Sequence, residues 1–286
     1  MSALLLEQPA RVDDFEAAAG AFLRSREAEH NVMLGLLPAI RDGRWPDPYF
    51  CVVRDGARVV AAALRTPPLN LILSVVDDPR AVAMEVDALA ARTPDLPGVV
   101  GPKQPAGAFA ALWRERTGRN VRLKVAERIF RLTRVIAPRP VAGHLRRAAA
   151  SDRDRVIEWL RAFVIEAMGP EEDVSGIGAF ADRWLTEPGR WLYFWDDRGP
   201  VSMCGASGET QNGIRIGAVY TPPELRGRGY ASACVAAVSQ EQLDRGRRFC
   251  FLYTDLANAT SNKIYQAIGY EPVCDVDEYR FETVGR

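Results

Sequence analysis

The sequence predicts an α/β chain of two domains that repeat one order of elements. Three observations carry this. Apolar strand-like runs alternate with amphipathic helical stretches along 286 residues, more than one compact domain needs. A stretch with two prolines and a closing glycine, Val135-Ile-Ala-Pro-Arg-Pro-Val-Ala-Gly143, separates two periodic halves. On each side the order is helix, hairpin, third strand, helix, strand, helix, which suggests an internal duplication. The division is therefore residues 1–135, a linker over 136–143, and residues 144–286.

In the second half, Ser151 is placed to cap a helix, with Asp154 three residues on. Val156, Ile157, Leu160, Phe163, Val164 and Ala167 follow at helical spacing, and Gly169-Pro170 stops the run. A short helix is expected over 180–187. Trp191–Trp195 reads as a strand, Asp196-Asp-Arg-Gly-Pro as a hairpin turn, and Val201–Gly208 as the return strand. Small residues in that return strand mark a close approach. Ile214–Tyr220 is a third strand. Ala231, Cys234, Val235, Val238 and Leu243 mark a helix ending at Gly246. A strand over 249–254 and a helix over 258–268, closed by Gly269, come next. Two short strands, Tyr270–Val273 and Glu278–Phe281, finish the chain.

The first half repeats this outline. Val12, Phe15, Ala18, Phe22 and Leu23 mark a helix. Residues 49–64 form a hairpin turning at Asp55-Gly56. Leu69–Val76 is a third strand, 80–92 a helix, Val99-Val100 a strand, Phe109–Arg116 a helix, and 121–132 contains further strand.

Composition excludes several classes. Lysine plus arginine number 37, as do the acids, which argues against a chain-wide electrostatic footprint for nucleic acid and leaves only a local basic patch such as Arg226 with Arg228. No apolar run approaches a membrane span, and the first residues lack a basic leader, so neither a membrane nor a secretory signal is expected. Cys51, Cys204, Cys234, Cys250 and Cys274 show no paired spacing and read as thiols of a reducing, cytoplasmic compartment. His30 and His144 lie far apart, which disfavours a metal site.

The most informative segment runs from strand to helix: Arg226-Gly227-Arg228-Gly229-Tyr230-Ala231. The first turn of a helix carries amides without helical partners and partial positive charge. A pyrophosphate can sit there if no side chain intrudes, and two glycines keep the approach open. The first half has Arg80-Ala-Val-Ala-Met-Glu at this place, preceded by Asp77 and Asp78, which would repel a phosphate.

These residues resemble the GCN5-related N-acetyltransferase (GNAT) superfamily. Arg226, Gly229 and Ala231 satisfy its loop pattern, and Val219-Tyr-Thr-Pro-Pro precedes the loop as a family strand would. Phe251-Leu-Tyr-Thr lies one helix later, and Asn258–Tyr270 is similar to the family's closing helix. The resemblance implies α/β (α+β) architecture: two GNAT-like domains, each a mixed, mostly antiparallel twisted sheet flanked by helices. The first would be degenerate, without the loop, and the second catalytic.

It further implies acetyl-CoA as co-substrate, no metal, and a small-molecule or polypeptide amine as acceptor. The amides of Arg226, Gly227, Arg228, Gly229, Tyr230 and Ala231 would bind the pyrophosphate. Val219, Tyr220 and Thr221 would accompany the pantetheine arm beside a bulge in their strand, with the Val219 amide polarising the thioester carbonyl. Asn258 and Ser261 match positions that touch the arm. Tyr265 matches the acid that protonates the leaving thiolate. For the base, Glu209, Glu166 and water chains all stay open.

Plainer roles stand beside these. Asn258 would cap its helix, Tyr265 would pack, and the two glutamates would be surface acids. Trp184, Trp191 and Trp195 line either an acceptor pocket or a core. A non-catalytic acyl-CoA-binding module and an aminoacyl-tRNA-dependent transferase are the competing functions.

Overall fold

The computed structural model describes residues 3–169 and 172–282. In chain order it contains β1 (Leu4–Glu7), α1 (Val12–Ser25), α2 (Asn31–Arg41), β2 (Tyr49–Asp55), β3 (Arg58–Arg65) and β4 (Leu71–Leu73). Then come α3 (Arg80–Ala90), β5 (Gly98–Pro102), α4 (Lys103–Thr117), β6 (Asn120–Leu132) and β7 (His144–Arg147). They are followed by α5 (Arg153–Met168), α6 (Ile177–Thr186), β8 (Trp191–Asp196), β9 (Pro200–Ser207) and β10 (Gly213–Tyr220). The last are α7 (Tyr230–Asp244), β11 (Phe249–Asp255), α8 (Ala259–Ala267) and β12 (Glu271–Glu282). The chain forms two compact units, Met1–Ile129 with Val273–Arg286, and Phe130–Pro272.

In the first unit the strand order is β1-β2-β3-β4-β5-β12. Period-2 alternation sends β2 and β3 side chains to opposite faces. Cys51, Val53, Ala61 and Ala63 face α3 and α4, with Trp113 and Phe281. Phe50, Val52, Ala62 and Leu64 face α1 and α2, with Phe15 and Leu23. Gly56, at φ 59°, makes the expected hairpin turn. One buried group is anomalous. Glu85 on α3 is fully enclosed, its carboxylate oxygens have no hydrogen-bond partner among the described residues, and burial pushes its carboxyl up to about 8.

The second unit follows the same plan, in the order β7-β8-β9-β10-β11. Cys204, Ala206, Ile214 and Ile216 pack with α7 and α8. Met203, Ala218 and Tyr220 pack with α5 and α6. Each unit contains a parallel pair, β4–β5 and β10–β11, joined by a crossover helix, α3 and α7.

Several expectations change. The chain ends in one long strand, β12, rather than two short ones, and from Val273 it belongs to the first unit, where Val276–Arg280 pairs with β5. The stretch expected as Leu69–Val76 holds only Leu71–Leu73 as strand. Ser151 does not cap α5: it lies in a single 3-10 turn, and Asp152 accepts a hydrogen bond from the Ala149 amide at 2.8 Å. The Gly169 amide closes α5 on the Ile165 carbonyl, while Pro170 lies outside the described residues. Elements β1, α2 and β7 have no counterpart in the sequence reading. The supposed linker is docked on the second unit, beginning with a hydrogen bond from the Ile136 amide to the Ile268 carbonyl at 2.9 Å.

Candidate functional site

Strand β10 departs from regular geometry where the site forms. Gly217 pairs with Gly205, yet Tyr220 pairs with Met203, so β10 carries one residue more than β9 across that interval. This is a β-bulge. Ala218 adopts φ 49° there, a left-handed conformation costing an alanine about 1–2 kcal/mol. The extra residue also reverses the alternation: Ile214 and Ile216 face α7 and α8, but Ala218 and Tyr220 face α5 and α6. On its other edge β10 is in register with β11 only through Gly213, Ile214 and Arg215. Pro222 and Pro223 follow, and their missing amide hydrogens end the strand in a short 3-10 turn.

The glycine loop leaves that turn. Gly227 and Gly229 sit at φ 75° and 86°, and Gly229 is the N-cap of α7. Among the described residues, the amides from Gly227 to Ser232 find no backbone acceptor, whereas Ala233 bonds to the Gly229 carbonyl at 3.0 Å. A Cβ on Gly227 would meet nothing within 4 Å. The loop therefore presents consecutive amides without backbone partners at a helix N-terminus, with open space at Gly227, as an oxyanion of phosphate requires.

The side chains of the loop turn to protein. Arg226 donates to the Thr221 carbonyl at 2.9 Å and to Glu166 at 2.6 Å, and lies over the Tyr220 ring at 5.9 Å. Arg228 donates to the Glu224 carbonyl at 3.2 Å. Tyr230 donates its hydroxyl to Asp197 at 2.7 Å. Thr221 shares a hydroxyl hydrogen bond of 2.9 Å with Ser202.

Tyr265 lies on α8, 8% exposed, edge-on to Tyr270. Burial pushes its phenol well above the ordinary value and the neighbouring Cys204 adds to this, while the Ser261 hydroxyl opposes it. Tyr265 shares its core cluster with Cys204, which lies between Met203 and Gly205, the partners of Tyr220 and Gly217 across the bulge. Val219 packs against the same cluster as Tyr265.

Other candidates are placed differently. Asn258 caps α8, its side-chain oxygen accepting from the Ser261 amide at 3.0 Å. Glu166 reaches the loop, but as the ion-pair partner of Arg226. Glu209 is not brought to the site. It precedes the far end of β10 and pairs with Arg247, just past the C-terminus of α7. The fifteen residues of α7 put roughly 22 Å between its ends. Trp184 is core: its ring lies where a Cβ on Gly205 would be, at 2.6 Å. Trp191 lies under Arg245, and Trp195 donates to the Ala142 carbonyl at 2.8 Å. The sequence reading missed Ala218, Asp197 and the docked connector. No sequence signal marks them, since an alanine at positive φ is dictated by its neighbours.

In the first unit the stretch after β4 is filled by a side chain of the unit itself. Ser74 and Asp77 donate to the carbonyls of Ala62 and Val60, again one residue in excess. There the Val75 amide donates to Nε2 of buried His30 at 3.0 Å, and the Leu23 carbonyl lies 2.9 Å from Nδ1. A carbonyl only accepts and Nε2 is already accepting, so Nδ1 carries the proton and the ring is neutral. Asp78, bonded to the Arg80 amide and guanidinium, occupies the start of α3.

Among the described residues, no group of three His, Cys, Asp or Glu side chains is arranged for a metal, and no helix is long and apolar enough to cross a membrane.

Comparison with known proteins agrees with this geometry. A family model described as "FR47-like protein" matches residues 197–280, the stretch holding bulge, loop and Tyr265. No curated protein matches the chain. Among solved structures, a GNAT-family acetyltransferase from Colwellia psychrerythraea is similar over 97% of this chain and 100% of its own, with TM-score 0.61 and 10% identity. A GCN5-related N-acetyltransferase from Sphaerobacter thermophilus matches over 99% and 97%, with TM-score 0.61 and 16% identity. A tandem GNAT protein from the clavulanic acid biosynthesis pathway matches over 99% and 100%, with TM-score 0.55 and 16% identity. At these identities the likeness is one of fold: the chain has the GNAT fold, in two units.

Proposed function

We propose that this tandem GNAT chain is an acetyl-CoA-dependent N-acetyltransferase whose second unit moves an acetyl group to a primary amine by direct attack on the thioester. The observation that carries this is the convergence of three features: open amides at the start of α7, a strained bulge in β10, and a buried phenol in the core cluster against which Val219 packs. The residues present fit coenzyme A. The amides from Gly227 to Ala231 would hold its diphosphate, Val219 to Thr221 would flank its arm, and Asn258 and Ser261 would stand beside it.

Bound acetyl-CoA supplies an activated acyl carbon. The protein's part is positional and protonic. The Val219 amide donates to the carbonyl oxygen as charge develops there. Tyr265, kept protonated by burial, gives its proton to the departing sulfur. With Glu209 at the other end of β10 and Glu166 held by Arg226, the amine proton leaves to water.

The test is thiol release from acetyl-CoA against a panel of amines, with products weighed by mass spectrometry. Tyr265→Phe should lower kcat about 100-fold, the lower bound for a general acid, while CoA affinity stays within twofold. Undiminished turnover in that variant removes Tyr265 from the chemistry. Tight CoA binding without turnover on any amine would make the chain an acyl-CoA-binding module instead.

A further inference from the structure

We propose that the segment joining the two halves, with the β8–β9 turn, forms a clamp that presets the glycine loop for a diphosphate, with Trp195 and Asp197 as its positioning residues. This rests on reading the loop as the coenzyme A site.

The connector is stiffened by Pro138 and Pro140, whose rings fix φ. Its end lies against the loop. Val141 Cγ1 stands 3.0 Å from where a Cβ on Gly229 would be. The next carbonyl, that of Ala142, accepts from Trp195 Nε1 at 2.8 Å. Gly143 then turns at φ 107°, so close to the hairpin that a Cβ would stand 2.6 Å from the Asp196 carbonyl oxygen and 2.7 Å from Trp195 Nε1. Only glycine fits there.

The same turn holds the helix start from the other side. It is itself rigid: Gly199 donates to Asp196 Oδ1 at 2.8 Å, and Asp197 donates its amide to the Gly199 carbonyl at 2.9 Å. Asp197 Oδ2 accepts from Tyr230 at 2.7 Å. Thus Trp195 pins what packs on Gly229, and Asp197 pins Tyr230, the next residue. A carboxylate a ring's length from an anion site is electrostatically unfavourable for the ligand. Its place there is explained by what it holds. Two consecutive loop residues, one of them left-handed, are thereby ordered before any ligand arrives, which lowers the ordering cost of binding.

The experiment reads amide hydrogen exchange of residues 227–232 in the ligand-free full chain, alongside calorimetric titration with CoA. Trp195→Phe keeps an aromatic ring and loses the N–H. Tyr230→Phe loses only the hydroxyl. Each should speed exchange of these amides about tenfold and weaken CoA about fivefold, raising KM for acetyl-CoA with kcat unchanged. Asp197→Asn retains an acceptor for Tyr230 and should keep loop exchange as slow as in the wild type, whereas exchange as fast as in Tyr230→Phe would overturn the clamp. Exchange unaltered in Tyr230→Phe overturns the clamp, whatever CoA does. Faster exchange with wild-type CoA affinity also overturns it, because order would then not serve binding. Failure of the wild-type chain to bind CoA instead refutes the reading of the site on which the clamp depends.

Discussion

Replacing each loop glycine by alanine separates backbone conformation from contact. Gly227 and Gly229 have similar left-handed φ, 75° and 86°, so both alanines carry the same intrinsic cost of about 1–2 kcal/mol. Alanine also reduces the freedom of the unfolded chain, which returns about 0.4–1 kcal/mol. Gly227→Ala meets nothing within 4 Å, so its net destabilisation should lie between about 0 and 1.6 kcal/mol. Gly229→Ala sets its Cβ 3.0 Å from Val141 Cγ1, well inside the usual 3.5–4.0 Å contact. The connector cannot easily yield, because the next residue is tied to Trp195. Overpacking of this kind adds about 1–3 kcal/mol. Denaturant unfolding should therefore show Gly229→Ala as the worse variant by at least 1 kcal/mol. Titration should show its CoA affinity down about tenfold, which equals about 1.4 kcal/mol. Adding Val141→Ala should recover the steric part and leave the backbone part, a coupling that a double-mutant cycle isolates. Equal effects of the two alanines, or no recovery in the double variant, would refute this account of the loop.

The remaining expectations concern charge. Glu209→Gln should leave turnover and its pH profile unchanged, since the carboxylate pairs with Arg247 away from the loop. Glu166→Gln should weaken CoA by fivefold at most, because an ion pair between half-exposed groups contributes about 1 kcal/mol or less. His30 has its pKa lowered by burial, so the folded state resists its protonation. Wild-type stability should be full above the unfolded value of about 6.5 and fall as pH drops below it, whereas His30→Leu should lack that slope while starting from a lower plateau. Glu85 has the opposite sign. Its carboxyl, raised to about 8, stays protonated when folded, so stability should decline as pH rises from about 4.3 to about 8. Glu85→Gln should abolish that decline in urea melts recorded across the range.

Much of this protein is legible locally. The glycine loop, Tyr265 on its helix, the Asp55-Gly56 hairpin and the alternating strands all follow from residues close together in sequence. Their cause is local: glycine tolerates positive φ, and two or four residues bring side chains to one face. The duplicated order of elements was legible for the same reason. The sequence also marked the first half as lacking the loop, through Asp77 and Asp78 and the absent glycines. Tertiary structure alone decided the rest. It put β12 into the first unit, because a strand's partner is a non-local choice that its own residues do not encode. It bent Ala218 into the bulge, plugged the corresponding place in the first unit with His30, and laid Val141 on Gly229. It also separated Glu209 from Glu166, which the sequence could only offer as equal alternatives. Each of these depends on contacts between residues far apart in the chain, and such contacts leave no periodic trace.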